Sequence, residues 1–386
     1  MRKIPLSVLN IGAEEKRSVL ECLDSGWIAA GKFITELEKR LCRYLGAKKA
    51  VCCVNGTCGL LVSLDACGVK ADEEVIVPCL TFISPVNAVS YLGAKPVFMD
   101  CDEYMNIDVN KFEDFLRLEC RMTERGPVNK CTKRLLKAVI PVHVFGNPCD
   151  MKSLMEVARR YRLKVIEDAT ESLGSYYTVG NYKGKFTSTI GDLGVLSFNA
   201  NKIITSGGGG AVISNNDNLA KRVRYLINQA KDDPLRYIHN RIGYNFRFNN
   251  IQAAIACAQV DKLERFIAAK KKNYGLYASG IKGIEGLSLL GVPQGTRPNY
   301  WFYSLIVDEK CYGLSRDGLM RKLADNKIES RPLWQLNHLQ QPYRLYQSYR
   351  IERAPGFLKR ILNIPSSSGL KEKEVERVIK VLKKRR

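Results

Sequence analysis

From about residue 36 the chain switches repeatedly between short apolar runs rich in β-branched residues and longer stretches in which apolar residues recur every three or four positions. "AVCCVN" (50–55) reads as a strand and "GTCGLLVSLDAC" after it as a helix, while "EEVIVP" (73–78) and "SPVNAVSYLG" repeat the pair. "AKPVFMD", "KAVIPVHV" and "KVIEDA" continue the series, with the helical stretch "DMKSLMEVARRYR" between the last two. Strands that are apolar throughout and separated by helices belong to a mostly parallel sheet covered on both faces.

Past residue 250 the texture changes. A long helical stretch from Ile251 toward Tyr277 leads into "LSLLG", the aromatic strand "YWFYSLIVD" (300–308), the helix "SRDGLMRKLADN" and the strand "KIESRP", and the amphipathic helix "EKEVERVIKVLKK" follows. The pattern predicts an α/β protein with a large domain over 1–250, including an N-terminal arm, and a smaller C-terminal α+β domain over 251–386.

Composition fits this picture: 45% of the 386 residues are hydrophobic, enough for a sizeable core. No run approaches the roughly 18 apolar residues of a membrane span, and "MRKIPLSVLNIGAEEK" turns polar too early for a signal peptide. A cytoplasmic protein without membrane attachment is expected. The 13 cysteines are scattered, with only Cys52 and Cys53 close together. The absence of CxxC spacing argues against a zinc site and a disulfide framework, and no metal is expected.

The net charge of +22, from 61 basic and 39 acidic residues, suits either nucleic acid or anionic small molecules. Basic residues are dispersed apart from "AAKKKNY" and "VLKKRR". No aromatic ribonucleoprotein motif, helix-turn-helix or zinc-finger spacing is present, so nucleic acid is not the expected partner. A small anionic substrate remains.

Open α/β sheets bind ligands beyond the carboxyl ends of their strands, and several unusual residues fall there. Asn55, Gly56 and Thr57 in "VNGTCGL" turn the chain into a helix whose free N–H groups suit a phosphate, although the same turn also serves simply as a cap. Phe82 in "PCLTFISP" is placed to stack on a planar ring. Asp168 in "VIEDATES" follows apolar residues and needs a cationic partner. Lys202 lies in "VLSFNANKIITS", with Ser197 before it and a glycine run after it. A lysine, a carboxylate, a phosphate-binding turn and a stacking aromatic are the components that bind pyridoxal 5′-phosphate (PLP).

The segments "SGWIAAGKFITELEKRL" (25–41), "VNGTCGL" (54–60), "PCLTFISPVNAV" (78–89), "PVHVFGNPCDM" (141–151), "EDATESLGS" (167–175), "SFNANKIITSGGGG" (197–210) and "GYNFRFNNIQAAI" (243–255) occur in an order that spans nearly the whole chain. Together they resemble the DegT/DnrJ/StrS-type sugar-nucleotide aminotransferases, which are fold-type I PLP enzymes. The resemblance implies that Lys202 carries the cofactor, Asp168 faces its ring nitrogen, Gly56, Thr57, Cys58 and Ser197 hold its phosphate, and Phe82 stacks on its ring. Glu171 stands near the ring hydroxyl, where many relatives have histidine or glutamine. Asn245 matches a position that reaches the phosphate of a neighbouring subunit, which implies a homodimer with shared sites.

The resemblance further implies glutamate as amino donor, conversion of PLP to pyridoxamine 5′-phosphate, and a nucleotide-linked keto-sugar as acceptor. "KIESRPLWQLNHLQQPY" (327–343) is most like the LegC-type branch acting at C4 of UDP-linked 4-keto-6-deoxy-N-acetylhexosamines for bacterial surface glycans or glycoproteins. Trp27, Arg331, Trp334 and His338 are the candidates for substrate contacts. A 3-keto sugar, a dTDP- or GDP-linked sugar, and a non-catalytic binding or regulatory role on the same fold remain open.

Overall fold

The computed structural model describes residues 2–384. The strands of its two principal sheets are, in chain order, β1 (Lys49–Cys53), β2 (Glu74–Pro78), β3 (Lys95–Met99), β4 (Leu136–Val139), β5 (Lys164–Asp168), β6 (Leu193–Ser197), β7 (Gly210–Ser214), β8 (Leu287–Leu289), β9 (Tyr303–Val307), β10 (Arg331–Pro332), β11 (Ser348–Tyr349) and β12 (Ile361–Ile364).

The central sheet has eight strands in the order β1-β7-β6-β5-β4-β2-β3-β11. Its pairs are parallel from β6 to β11, whereas β7 runs antiparallel to both β1 and β6. Two reversals restore direction, so β1 ends at the same edge of the sheet as β2, β4, β5 and β6. Strands such as β2, buried at every position, gain hydrophobic stabilisation on both faces, about 1.5–3 kcal/mol for each large apolar side chain removed from water.

Helices cover those faces. Gly56–Ala66 is apolar nearly all round and lies buried; Asn55 caps it by accepting the Cys58 N–H at 2.8 Å, satisfying one of the free donors of its first turn. Arg331 and Pro332 pair with the smaller sheet, ordered β8-β9-β12-β10. The helix Glu372–Lys383 packs on this region through Val375, Val378, Val381 and Leu382, as the spacing of its apolar residues predicts.

The structure departs from the sequence reading in several places. The helical stretch after Ile251 is two helices, Asn250–Val260 and Leu263–Ile281. The second contributes Leu263, Phe266 and Ile267 to the larger core and Tyr277 and Ile281 to the smaller one, so the chain passes between the cores along it. In "YWFYSLIVD" the strand begins only at Tyr303, because Tyr300 adopts φ +56° and bends the chain before it. In "KIESRP" only Arg331 and Pro332 form strand, while Ile328 pairs with Ile4 of the N-terminal arm. No helix among the described residues is long and apolar enough to cross a membrane.

Candidate active site

Beyond the shared carboxyl edge of β1, β2, β4, β5 and β6 lies a cavity of about 300 Å³. Gly56, Thr57, Phe82, Asp168, Glu171, Ser197, Lys202 and Trp334 all line it. Segments more than two hundred residues apart in sequence thus meet because the sheet delivers their strand ends to one place.

The phosphate-sized end of the cavity is built by the first turn of the helix Gly56–Ala66. Its Gly56 and Thr57 N–H groups precede the intrahelical hydrogen bonds, as helix geometry requires, and the helix dipole favours an anion there. Thr57 Oγ1 is 3.0 Å from Ser84 Oγ, and Ser197 lines the cavity opposite. A Cβ at Gly56 would come within 2.9 Å of Thr170 Cγ2 and 3.2 Å of Ser197 Cβ, so the close approach of these segments requires glycine. Cys58 is half-buried but does not line the cavity, and its N–H is already held by Asn55.

Asp168, also in the lining, is 3% exposed. Its Oδ1 accepts the Thr170 N–H at 3.0 Å. Burial raises its carboxyl above the ordinary range, against the pull of Thr170 and Lys202. A cationic ring nitrogen opposite would supply the charge such a carboxylate lacks. The neighbouring Glu167, by contrast, is fully satisfied: it accepts N–H groups from Ser188, Ile190 and Gly191 at 2.7–3.0 Å. His143 accepts the Cys149 N–H on Nδ1, which places its own proton on Nε2, 3.0 Å from Glu167.

Lys202 does not pair with Asp168. Its Nζ lies 3.5 Å from Glu171 Oε1 and 4.2 Å from the centre of the Trp301 ring. Burial pushes the Glu171 carboxyl up to about 7, against the opposing effects of Lys202 and the Phe145 N–H. Trp301, Phe302, Asn199 and Asn201 also line the cavity, although the sequence reading singled out none of them. The signal of Trp301 and Phe302 was hidden in a run that reads as strand, which the bend at Tyr300 interrupts, while Asn199 and Asn201 lie in the lysine segment itself.

Aromatic rings form one wall. Trp301 and Phe302 lie 4.1 Å apart, Phe145 and Trp334 4.7 Å, and Phe82 meets Trp334 edge-on at 6.2 Å. The remaining substrate candidates lie elsewhere. Arg331 is exposed on β10, outside the cavity lining. His338 packs on Phe98 at 6.2 Å, with its Nδ1 buried and unpartnered. Trp27 is 67% exposed, and Asn245 is exposed in the segment preceding the helix Asn250–Val260, so neither lines the cavity of its own chain.

A buried acid, a lysine between a carboxylate and an indole, and an anion-binding helix terminus fit the ring nitrogen, carbonyl carbon and phosphate of PLP; the site is that of a PLP-dependent transferase. The pattern of the DegT/DnrJ/EryC1/StrS aminotransferases matches residues 9–383, and the chain belongs to that family. A GDP-perosamine synthase of Caulobacter vibrioides is 37% identical over 385 residues, spanning 98% of this chain and 97% of the relative. One from Vibrio cholerae is 33% identical over 383 residues, covering 98% of each. Among solved structures, S. venezuelae DesV in complex with a ketimine intermediate is similar, with 26% identity, a TM-score of 0.86, and coverage of 99% of this chain and 98% of that one. The fold is therefore fold-type I, and the protein is a PLP-dependent sugar aminotransferase.

Proposed function

We propose that the enzyme moves an amino group from glutamate to C4 of a GDP-linked 4-keto-6-deoxyhexose, for the synthesis of an amino sugar used in a surface glycan. The observation that carries this reading is the full-length similarity to GDP-perosamine synthases. It replaces the UDP-linked N-acetylhexosamine expected from residues 327–343. Three of the four candidate substrate contacts, Trp27, Arg331 and His338, lie outside the cavity lining of their own chain, which weakens the local basis for that branch.

When bound, PLP supplies an electron sink that stabilises negative charge at the carbon losing its proton. In the proposed roles Lys202 carries the cofactor and moves that proton, while Asp168 holds a proton at the ring nitrogen. The helix terminus at Gly56 and Thr57, with Ser197, binds the phosphate. Phe82 stacks on the cofactor ring, and the rings of Trp334 and Phe302 offer an apolar face for a deoxysugar and help to exclude water. Asn245 reaches the cofactor phosphate of a neighbouring subunit in a homodimer.

The purified enzyme, glutamate and a panel of GDP-, UDP- and dTDP-linked keto-sugars test the substrate assignment, with products identified by NMR. Amination of the GDP-linked 4-keto-6-deoxyhexose is expected. Amination confined to UDP- or dTDP-linked sugars, or at C3, overturns it.

A further inference from the structure

A transaminase lysine is bonded to the cofactor in one half of its cycle and free in the other. A free ammonium in a confined cavity carries a positive charge that competes with the amine on the cofactor. The cavity therefore needs somewhere to keep it.

Lys202 has such a place. Its Nζ lies between the Glu171 carboxylate at 3.5 Å and the Trp301 ring at 4.2 Å, and its side chain is only 12% exposed. The two walls are held by contacts that do not involve the Lys202 side chain. Trp301 donates its indole N–H to the Asn201 carbonyl at 2.7 Å, and its backbone N–H to Asn299 Oδ1 at 3.0 Å. Its carbonyl accepts from Lys270 Nζ at 3.0 Å and Ser366 Oγ at 3.2 Å. Asn299, wholly buried, also donates to the carbonyl of Glu171 at 2.9 Å. One asparagine thus ties the backbone behind the carboxylate to the backbone behind the ring, and fixes the gap between them.

We propose that Trp301 and Glu171 form a parking site for the free ammonium of Lys202, with Asn299 as the residue that sets its width. Trp301 acts here as a positioning residue. The inference rests on the reading that Lys202 carries the cofactor and deepens it: the site must hold the lysine away from the pyridoxamine form and release it to the pyridoxal form.

The test is a binding cycle on cofactor-free protein. Pyridoxamine 5′-phosphate binds without bonding to the lysine, so its affinity reads whether the ammonium is held aside. Trp301→Leu is expected to weaken it about 2- to 30-fold, the range a lost cation–π contact allows. In a Lys202→Ala background the same substitution should change nothing, and Trp301→Phe should restore much of the loss by returning a ring face. Equal weakening with and without Lys202, or no weakening in the presence of Lys202, overturns the proposal. If the leucine variant does not fold, Glu171→Gln is carried through the same cycle against Lys202→Ala, and absence of coupling there is equally decisive. Borohydride reduction of the pyridoxal-loaded wild type separates the underlying reading: an adduct on another lysine refutes the role of Lys202 itself, whatever the binding cycle shows.

Discussion

Asp100 and Lys111 form an ion pair of 2.7 Å in which the carboxylate is wholly buried. The same carboxylate accepts the backbone N–H groups of Glu352, Arg353 and Ala354 at 2.8–3.0 Å. It thereby ties the end of β3 to the start of the helix Ala354–Arg360. Burial works to raise its carboxyl, but the N–H groups and Lys111 outweigh burial and hold it below the ordinary 3.8. Its contribution to stability is present above that value and lost as pH falls through the lowered one. Asp100→Ala should cost about 3 kcal/mol, because Lys111 and the N–H groups lose their acceptor. Urea unfolding checks this, and a loss below about 1 kcal/mol contradicts the argument.

Replacing Lys202 with alanine should lower turnover by about 10² to 10⁴ or more while leaving the far-UV spectrum intact. Reduction with borohydride followed by peptide mapping should place the cofactor adduct of the wild type on this residue.

Asp168→Asn should still bind PLP, since Gly56, Thr57, Ser197 and Lys202 remain. Without the carboxylate the ring nitrogen loses its proton and the electron sink weakens, so turnover should fall by roughly 10² or more. Near-normal turnover would remove Asp168 from the proposed chemistry.

Glu171 is raised from 4.5 to about 7 by burial. Between those values the folded protein binds more protons at this site than the unfolded chain, so this group lowers stability as pH rises through the window. Glu171→Gln should abolish that share of the slope, up to roughly 3 kcal/mol. Urea midpoints of the cofactor-free protein at about pH 5 and about pH 8 measure it; an unchanged slope contradicts the assignment.

Lys202→Ala and Asn245→Asp, each inactive alone, should regain part of the activity when mixed after dissociation and reassociation. One defect damages its own subunit's site and the other a neighbour's phosphate pocket, so a symmetric dimer would contain one intact site. Heterodimers that form without activity would separate Asn245 from the site.

Much of this was legible in the sequence because it resides in strands. β1 to β6 are largely apolar runs whose C-terminal residues lie at one edge of the sheet, with only β7 reversed among them; Lys202, Asp168, Phe82 and Ser197 could be singled out by their place after such runs. β11 was not legible. Its two residues pair with β3 through tertiary packing, and no local pattern marks so short a strand. Trp301 and Phe302 were missed for the opposite reason: they sit in a run with strong strand character, and only the left-handed backbone of Tyr300 turns them toward the cavity. Arg331 and His338 carry suitable chemistry, but position on an exposed edge or against Phe98 is a property of packing that residue type does not encode.

The antiparallel pairing of β6 with β7 has a consequence for how this enzyme can vary. Lys202 sits on residues 198–209, a loop closed at its base by ladder bonds and by Phe198 N–H to the Gly209 carbonyl at 2.9 Å. At Gly209 φ is +105°, and a Cβ would come within 2.3 Å of the Phe248 ring. An insertion or deletion here cannot be absorbed by sliding one strand along the other, because a one-residue slip turns every side chain of the strand to the opposite face. New specificities are therefore expected to arise through changes in the aromatic wall, while the length of the lysine loop stays constant.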